Sequence, residues 1–308
     1  MPTIAVAGGS GHLGRAIAEA LVAEGKYQLL ILARSEKQKA IGATFIPADY
    51  TNVDSLVKVL EENKVDTVIS TISAMGDFQP ELNLINAADK STATKRYIPS
   101  IWGTPITDEI AEYFPPGKGK IAVLKALGAT SLEYTAVYNG FFSDYYVAPK
   151  VKSYMNPMAL VLDIPNDFAA IPGSGDVPVT FTHTFDIAKY VVALQALSKW
   201  ETESVIVGDK VTLNEFVKLA EQVKGKKFTV VHDSLEKLRS GQITELPSHP
   251  AMYPFFPKPM LQGFFAAFGI MFEQGALDLD VKGSLVERFP EIKPRKVKDL
   301  LEEAYGRA

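Results

Sequence analysis

Four glycines fall within seven residues, at Gly8, Gly9, Gly11 and Gly14. A short apolar run, Ile4 to Ala7, leads into them, and an amphipathic stretch, Arg15 to Val22, follows directly. Strand, glycine turn and helix in that order suit the pyrophosphate of a dinucleotide. Gly8 permits the tight turn, Gly11 lets backbone N–H groups approach the phosphates, and Gly14 lets the helix pack on the strand. The helix N-terminus adds unpaired N–H groups and the positive end of its dipole. His12 and Leu13 lie inside this loop, where His12 is expected to cover the phosphates rather than do chemistry. A second position selects the dinucleotide. The apolar run Gln28 to Ala33 ends in Arg34 and Ser35, with Lys37 and Lys39 close behind and no acid at the tip. An acid there would bind a ribose 2′-hydroxyl, whereas an arginine forks onto a 2′-phosphate and a serine donates to it. The expected cofactor is therefore NADP(H). His183, a single histidine between two threonines, is a further candidate proton donor, weighed against a structural hydrogen-bonding role. Trp102, Tyr138, Phe141, Phe142, Tyr145 and Tyr146 either wall a pocket for a flat substrate or belong to the core. At least half are expected to be core, because Tyr138 and the phenylalanine pair follow a strand.

Composition excludes other chemistries. The 308 residues carry a formal charge of −4 with no dense Lys/Arg cluster, which argues against nucleic acid as a partner. Cysteine is absent, so disulfides, thiolate metal sites and a thiol nucleophile are excluded. The four histidines are scattered without metal-ligand spacing, and no metal is expected. The most apolar late segment, Met260 to Phe272, is too short to span a bilayer and contains Gln262, Gly263 and Gly269. The chain starts on a strand with no leader, and a cytoplasmic location is expected.

The elements that must position these residues alternate. Further strands are expected at Ala43–Ile46, Thr67–Ile72, Lys95–Pro99 and Tyr134–Tyr138. Helices are expected at Asp54–Glu62, Glu81–Lys90 and Lys120–Gly128. Alternation of this kind predicts an α/β fold, a Rossmann doubly wound parallel sheet with right-handed crossovers. Past residue 140 the rhythm breaks at Pro149, Pro157, Pro165, Pro172 and Pro178, with a turn at Gly173 and Gly175. A helix is expected within Thr182–Leu197, with Asp186 as its N-cap or in its first turn. A strand follows at Ser204–Val207, then a helix over Thr212–Val223 begun by a Thr212/Glu215 capping box. Residues 224–285 read as irregular before an apolar helix, and a charged helix ends the chain within Pro294–Tyr305. The expected division is a cofactor-binding domain at 1–150, with 180–223 returning to it. A smaller C-terminal substrate-binding region comprises 151–179 and 224–308.

Together GGSGHLG, ILARS, ADYTNVDSL and KRYIPSIWG resemble the NmrA-like group of atypical short-chain dehydrogenases, which includes isoflavone and phenylcoumaran benzylic ether reductases. The resemblance extends through YTAVYNGFF (134–142), GSGDVPVTFTHTFDIAKYV (173–191) and a fungal-type ending. It implies that Asp49 lines the adenine side, that Thr71 and Ser73 pass the ribose, and that Pro99 and Ser100 lie beside the nicotinamide. Asn139, Gly140 and Phe141 would face nicotinamide and substrate. It also implies a lysine opening the next helix as general acid or base, with Lys120 the best match and Lys118 the fallback. The sequence departs from the usual PSEFG in reading PSIWG, with Ile101 in place of the acid and Trp102 as the aromatic. It also lacks a Tyr-x-x-x-Lys pair, since Tyr113 precedes Lys118 by five residues across two prolines. The expected function is an NADPH-dependent oxidoreductase, monomeric or homodimeric, acting on a small aromatic or secondary-metabolite substrate. Two alternatives stand beside it: a cofactor-sensing regulator without turnover, and an enzyme that keeps NADP for structure while catalysing a non-redox rearrangement.

Overall fold

The computed structural model describes residues 1–34, 42–72 and 76–306. Strands β1 (Thr3–Ala7), β2 (Gln28–Ala33), β3 (Thr44–Pro47), β4 (Val65–Ser70), β5 (Arg96–Ile98) and β6 (Glu133–Tyr134) form one sheet. Their order is β3-β2-β1-β4-β5-β6, with every pairing parallel. The order reverses at β1, which places the glycine turn at the switch point where α/β sheets bind ligands. Alternating side chains explain the two cores that sandwich the sheet. Ile4 and Val6 of β1 pack with Ile17 and Leu21 of α1 (His12–Glu24) on one face. Ala5 and Ala7 face the opposite cluster, which includes Leu56 of α2 (Val53–Glu62), Leu84 of α3 (Gln79–Lys90) and Val123. A short helix, α4 (Asp108–Tyr113), precedes α5 (Gly117–Gly128), which carries Val123.

Apart from α4, which was not expected, the first 130 residues follow the expected alternation within a few residues per element. The expected single strand Tyr134–Tyr138 is instead two. β6 pairs with β5, and after Thr135 the chain changes partner, so that β7 (Ala136–Tyr138) pairs in parallel with β12 (Glu203–Val205). Beyond β7 come β8 (Phe141–Phe142), α6 (Asp144–Val147), β9 (Leu162–Asp163), β10 (Phe168–Pro172), β11 (Pro178–Thr182), α7 (Thr184–Gln195), β12 (Glu203–Val205), β13 (Asp209–Thr212), α8 (Leu213–Lys224), β14 (Thr229–Asp233) and α9 (Leu235–Arg239). The chain then runs through α10 (Lys258–Glu273), α11 (Leu285–Arg288) and α12 (Val297–Tyr305). Two small sheets, β14-β10-β9 and β13-β11-β8, thus form past residue 140, from strands that the broken rhythm there did not reveal. A third apolar cluster, including Phe181, Phe216, Phe265, Phe272 and Leu300, holds this part together. α7 packs against α1 on the back of the central sheet and shares its core through Ile187 and Val191. His183, not Asp186, is its N-cap, and Asp186 lies in the first turn. The capping box of α8 forms as expected between Thr212 and Glu215. No helix among the described residues is long and apolar enough to cross a membrane.

Candidate functional site

The glycine loop is built by close approach. Gly8 is left-handed at φ +76°, and a Cβ there would lie 2.8 Å from the Thr71 carbonyl oxygen. At Gly14 a Cβ would come within 2.4 Å of Gly8 O and 2.3 Å of Thr71 Oγ1. Thr71 is itself fixed, because its N–H and hydroxyl both donate to Ala7 O, at 2.9 and 2.8 Å. Gly11 is different. Its φ of −95° suits any residue, and the nearest protein atom to its Cβ position is 3.4 Å away. The protein's own packing therefore explains Gly8 and Gly14 and makes no such demand at Gly11. Gly11 caps α1 without a side chain, and the N–H groups of the first turn, His12, Leu13 and Gly14, have no carbonyl within the helix to bond. This is a cradle that fits a pyrophosphate.

Arg34 stands exposed immediately after β2, beside this loop's strand. Ser35 and Ser73 lie outside the described residues. Asp49 is exposed, and hydrogen bonds from the Thr51 hydroxyl and N–H hold its carboxyl below the usual range. Below it Tyr50 is buried, its hydroxyl donating to Leu32 O at 2.9 Å.

The loop after β5 is tied down on both sides. Pro99 is buried and Ser100 half-buried. The Ser100 hydroxyl donates to Ile72 O (2.8 Å), and Trp102 Nε1 donates to Ser70 O (3.1 Å). Gly103 N–H donates to Asn139 Oδ1 (3.0 Å), while the N–H groups of Asn139 and Gly140 both donate to Gly103 O. Gly140 adopts φ +68°, with Thr180 O only 2.2 Å from where a Cβ would sit. Into this loop reaches Lys120, from the first turns of α5. Its Nζ donates to Trp102 O at 2.8 Å and Ile101 O at 3.4 Å. Among the described residues no carboxylate pairs with it. Desolvation by the surrounding protein lowers its pKa to about 8, although part of the side chain reaches the surface. Lys118 is a solvated lysine, 72% exposed and 3.1 Å from Glu112. The geometry thus separates the two lysines.

Several other candidates are placed elsewhere. Asn139 is fully buried, with its side chain engaged by Gly103 N–H and Gly140 O, so it shapes the loop. Tyr138 (2% exposed) and Phe141 (4%) are core residues; Trp102 and Phe142 are half-buried. His183 does not join Lys120. It is 1% exposed, and its Nδ1 accepts from Arg295 Nη2 (2.7 Å) and Phe185 N–H (3.2 Å). Burial lowers its pKa, and two donors on Nδ1 fix the neutral form with the proton on Nε2. Its role here is to anchor α7. Sequence reasoning took the apolar, aromatic-rich segment 250–272 to favour an enclosed pocket but did not name its residues: Phe264 and Phe268 of α10, half-buried, pack on Phe114 at ring distances of 5.8 and 5.2 Å. Their spacing of four residues, continued by Phe272, was the available signal.

The profile of the NmrA-like family matches residues 1–301. Oxidoreductase BOA1 of Botryotinia fuckeliana is 33% identical over 302 residues, covering 96% of each chain. Oxidoreductase swnN of Metarhizium robertsii is 28% identical, over 99% of this chain and 98% of its own. Among solved structures, the leucoanthocyanidin reductase–NADPH binary complex of Vitis vinifera superposes with a TM-score of 0.75 over 98% of each chain, at 20% identity. That likeness speaks for the fold.

Proposed function

The chain belongs to the NmrA-like family, and from that premise we propose that it is an NADPH-dependent oxidoreductase acting on a small aromatic or secondary-metabolite substrate. One observation carries this reading: the Lys120 amine, free of any carboxylate among the described residues, is held by two loop carbonyls beside the strand tips. Gly8, Gly11 and Gly14, with the first-turn N–H groups of His12 and Leu13, would hold the pyrophosphate. Arg34 would take the 2′-phosphate, with Asp49 on the adenine side, Thr71 passing the ribose, and Pro99 and Ser100 beside the nicotinamide. The relatives' names, oxidoreductases of similar length, support turnover over sensing.

When bound, NADPH supplies a hydride. The chain's own contribution is the proton. An amine poised near 8 exists in both forms at neutral pH, which is where proton transfer is most effective. Two of its three possible donor directions are taken by Trp102 O and Ile101 O, so one remains for a substrate oxygen. As negative charge develops on that oxygen, Nζ–H donates to it. The half-buried Phe264 and Phe268 rings, backed by the buried Phe114, would supply an apolar wall for a flat substrate.

The test is to titrate NADPH and NADH by fluorescence, then follow NADPH absorbance with a panel of aromatic carbonyl and ether compounds. The reading predicts tighter binding of NADPH and its consumption with at least one compound. Tight binding with no consumption across the panel assigns the chain to cofactor sensing, and product without NADPH consumption assigns it to a non-redox reaction.

A further inference from the structure

We propose that Glu81 is a positioning residue for Lys120: its buried carboxylate fixes the Ser100–Trp102 backbone, and carbonyls of that backbone hold the lysine amine. The proposal deepens, and rests on, the reading of Lys120 above.

Glu81 lies in the first turn of α3 and is 1% exposed. Its Oε1 accepts from Ser100 N–H (3.0 Å) and from the Tyr97 hydroxyl (3.1 Å). Its Oε2 accepts from the Ser70 hydroxyl (2.5 Å). No lysine, arginine or histidine pairs with it among the described residues. Burial pushes its carboxyl pKa up, and the bonds from Ser70, Ser100 and Tyr97 oppose that rise. A buried carboxylate without a counter-ion is costly unless its lone pairs are filled. Its helix, α3, contributes Leu84, Ile85, Ala87 and Ala88 to the apolar core beside it, so packing alone does not call for an acid here. What an apolar residue could not do is accept three converging donors, two of them from segments that frame the site.

The consequence runs through rigid peptide units. Ser70, at the end of β4, donates its hydroxyl to Glu81, and its carbonyl accepts from Trp102 Nε1. Ser100 gives its N–H to Glu81 and its hydroxyl to Ile72 O. Glu81 therefore clamps the β4 tip and the β5 loop together. The next two carbonyls along that loop, those of Ile101 and Trp102, are the acceptors of Lys120 Nζ. With the clamp gone, the loop carbonyls move and water reaches the amine.

Acetic anhydride labelling of the full chain, read at Lys120 by mass spectrometry across pH, tests this without substrate or cofactor. The wild-type midpoint is expected near the lowered pKa, and Glu81→Ala should move it up by one pH unit or more. Glu81→Gln keeps an acceptor for Ser100 and Tyr97 and should stay within about 0.3 unit of wild type. Glu81→Asp retains the carboxyl group but is too short to reach the loop, and should shift upward as Glu81→Ala does. This variant keeps the test decisive where Glu81→Ala fails to fold. A cooperatively folded Glu81→Ala or Glu81→Asp chain with an unmoved midpoint overturns the positioning role while leaving Lys120 as the proton donor. A wild-type midpoint near an ordinary lysine's overturns the reading of Lys120 itself, and with it this proposal.

Discussion

At the scale of single residues, Gly11 and Gly14 make opposite demands. Gly14→Ala would force a Cβ against Gly8 O and Thr71 Oγ1, so we expect a lower melting temperature as well as lost NADPH binding. Gly11→Ala meets nothing closer than 3.4 Å, so the melt should hardly change while NADPH affinity falls at least about tenfold. Equal loss of stability in both variants would remove the argument that Gly11 serves a ligand. Lys120 gives a pH signature of its own. Its folded pKa, about 8, lies below the ordinary lysine value, so between the two the unfolded chain binds more protons. Stability contributed by this residue therefore rises with pH across that window. Denaturant titrations at pH 7.5 and 9.5 should show wild type gaining on Lys120→Met at the higher pH. A constant gap between the two proteins would mean that the amine is not desolvated.

At the scale of elements, α7 depends on the tail that precedes α12. The Asp186 carboxylate, with its side chain 0% exposed, accepts from Arg295 N–H (3.0 Å) and Nε (3.3 Å), and from Lys189 Nζ (2.8 Å). Burial works against its ionisation, but the Lys189 and Arg295 contacts more than compensate and its pKa falls. That stabilisation is present above the unfolded carboxylate range and disappears as pH drops through the folded value. Arg295→Ala should destabilise by about 2 kcal/mol near neutral pH. The gap to wild type should close below about pH 4, and a gap independent of pH would count against this assignment. The same elements show what sequence could and could not reveal. β1, α1 and β2 were legible because continuous apolar runs are bounded by Gly8 and Gly25, the latter at φ +69° closing α1. β14 was not: Thr229, Val230 and His232 are exposed, and only Asp233 of this edge strand is buried. The His183 cap was hidden because a histidine accepting at Nδ1 is an uncommon cap, while Asp186 stands in the first turn, one of its two expected places.

At the scale of the whole molecule, three apolar clusters hold one site in place. Two lie on the faces of the parallel sheet and one within the part rich in small strands. The glycine cradle was visible in sequence because all its parts lie within seven residues. The lysine seat was only half visible, since its carbonyls come from residues 101–102 and the loop's anchors from Ser70, Glu81 and Asn139. Such convergence is a property of the fold, and an isolated Glu81 in a helix's first turn reads simply as an acid near a favourable dipole. The central claim, that a cofactor cradle and a desolvated lysine together perform reduction, is tested most directly by one comparison. NADPH consumption is followed at its absorbance band for wild type and Lys120→Ala, with the same aromatic carbonyl and ether panel and with NADPH binding measured for both. The account predicts consumption by wild type and its loss by at least about a hundredfold in the variant, with NADPH affinity nearly unchanged. Equal consumption by both proteins would contradict it.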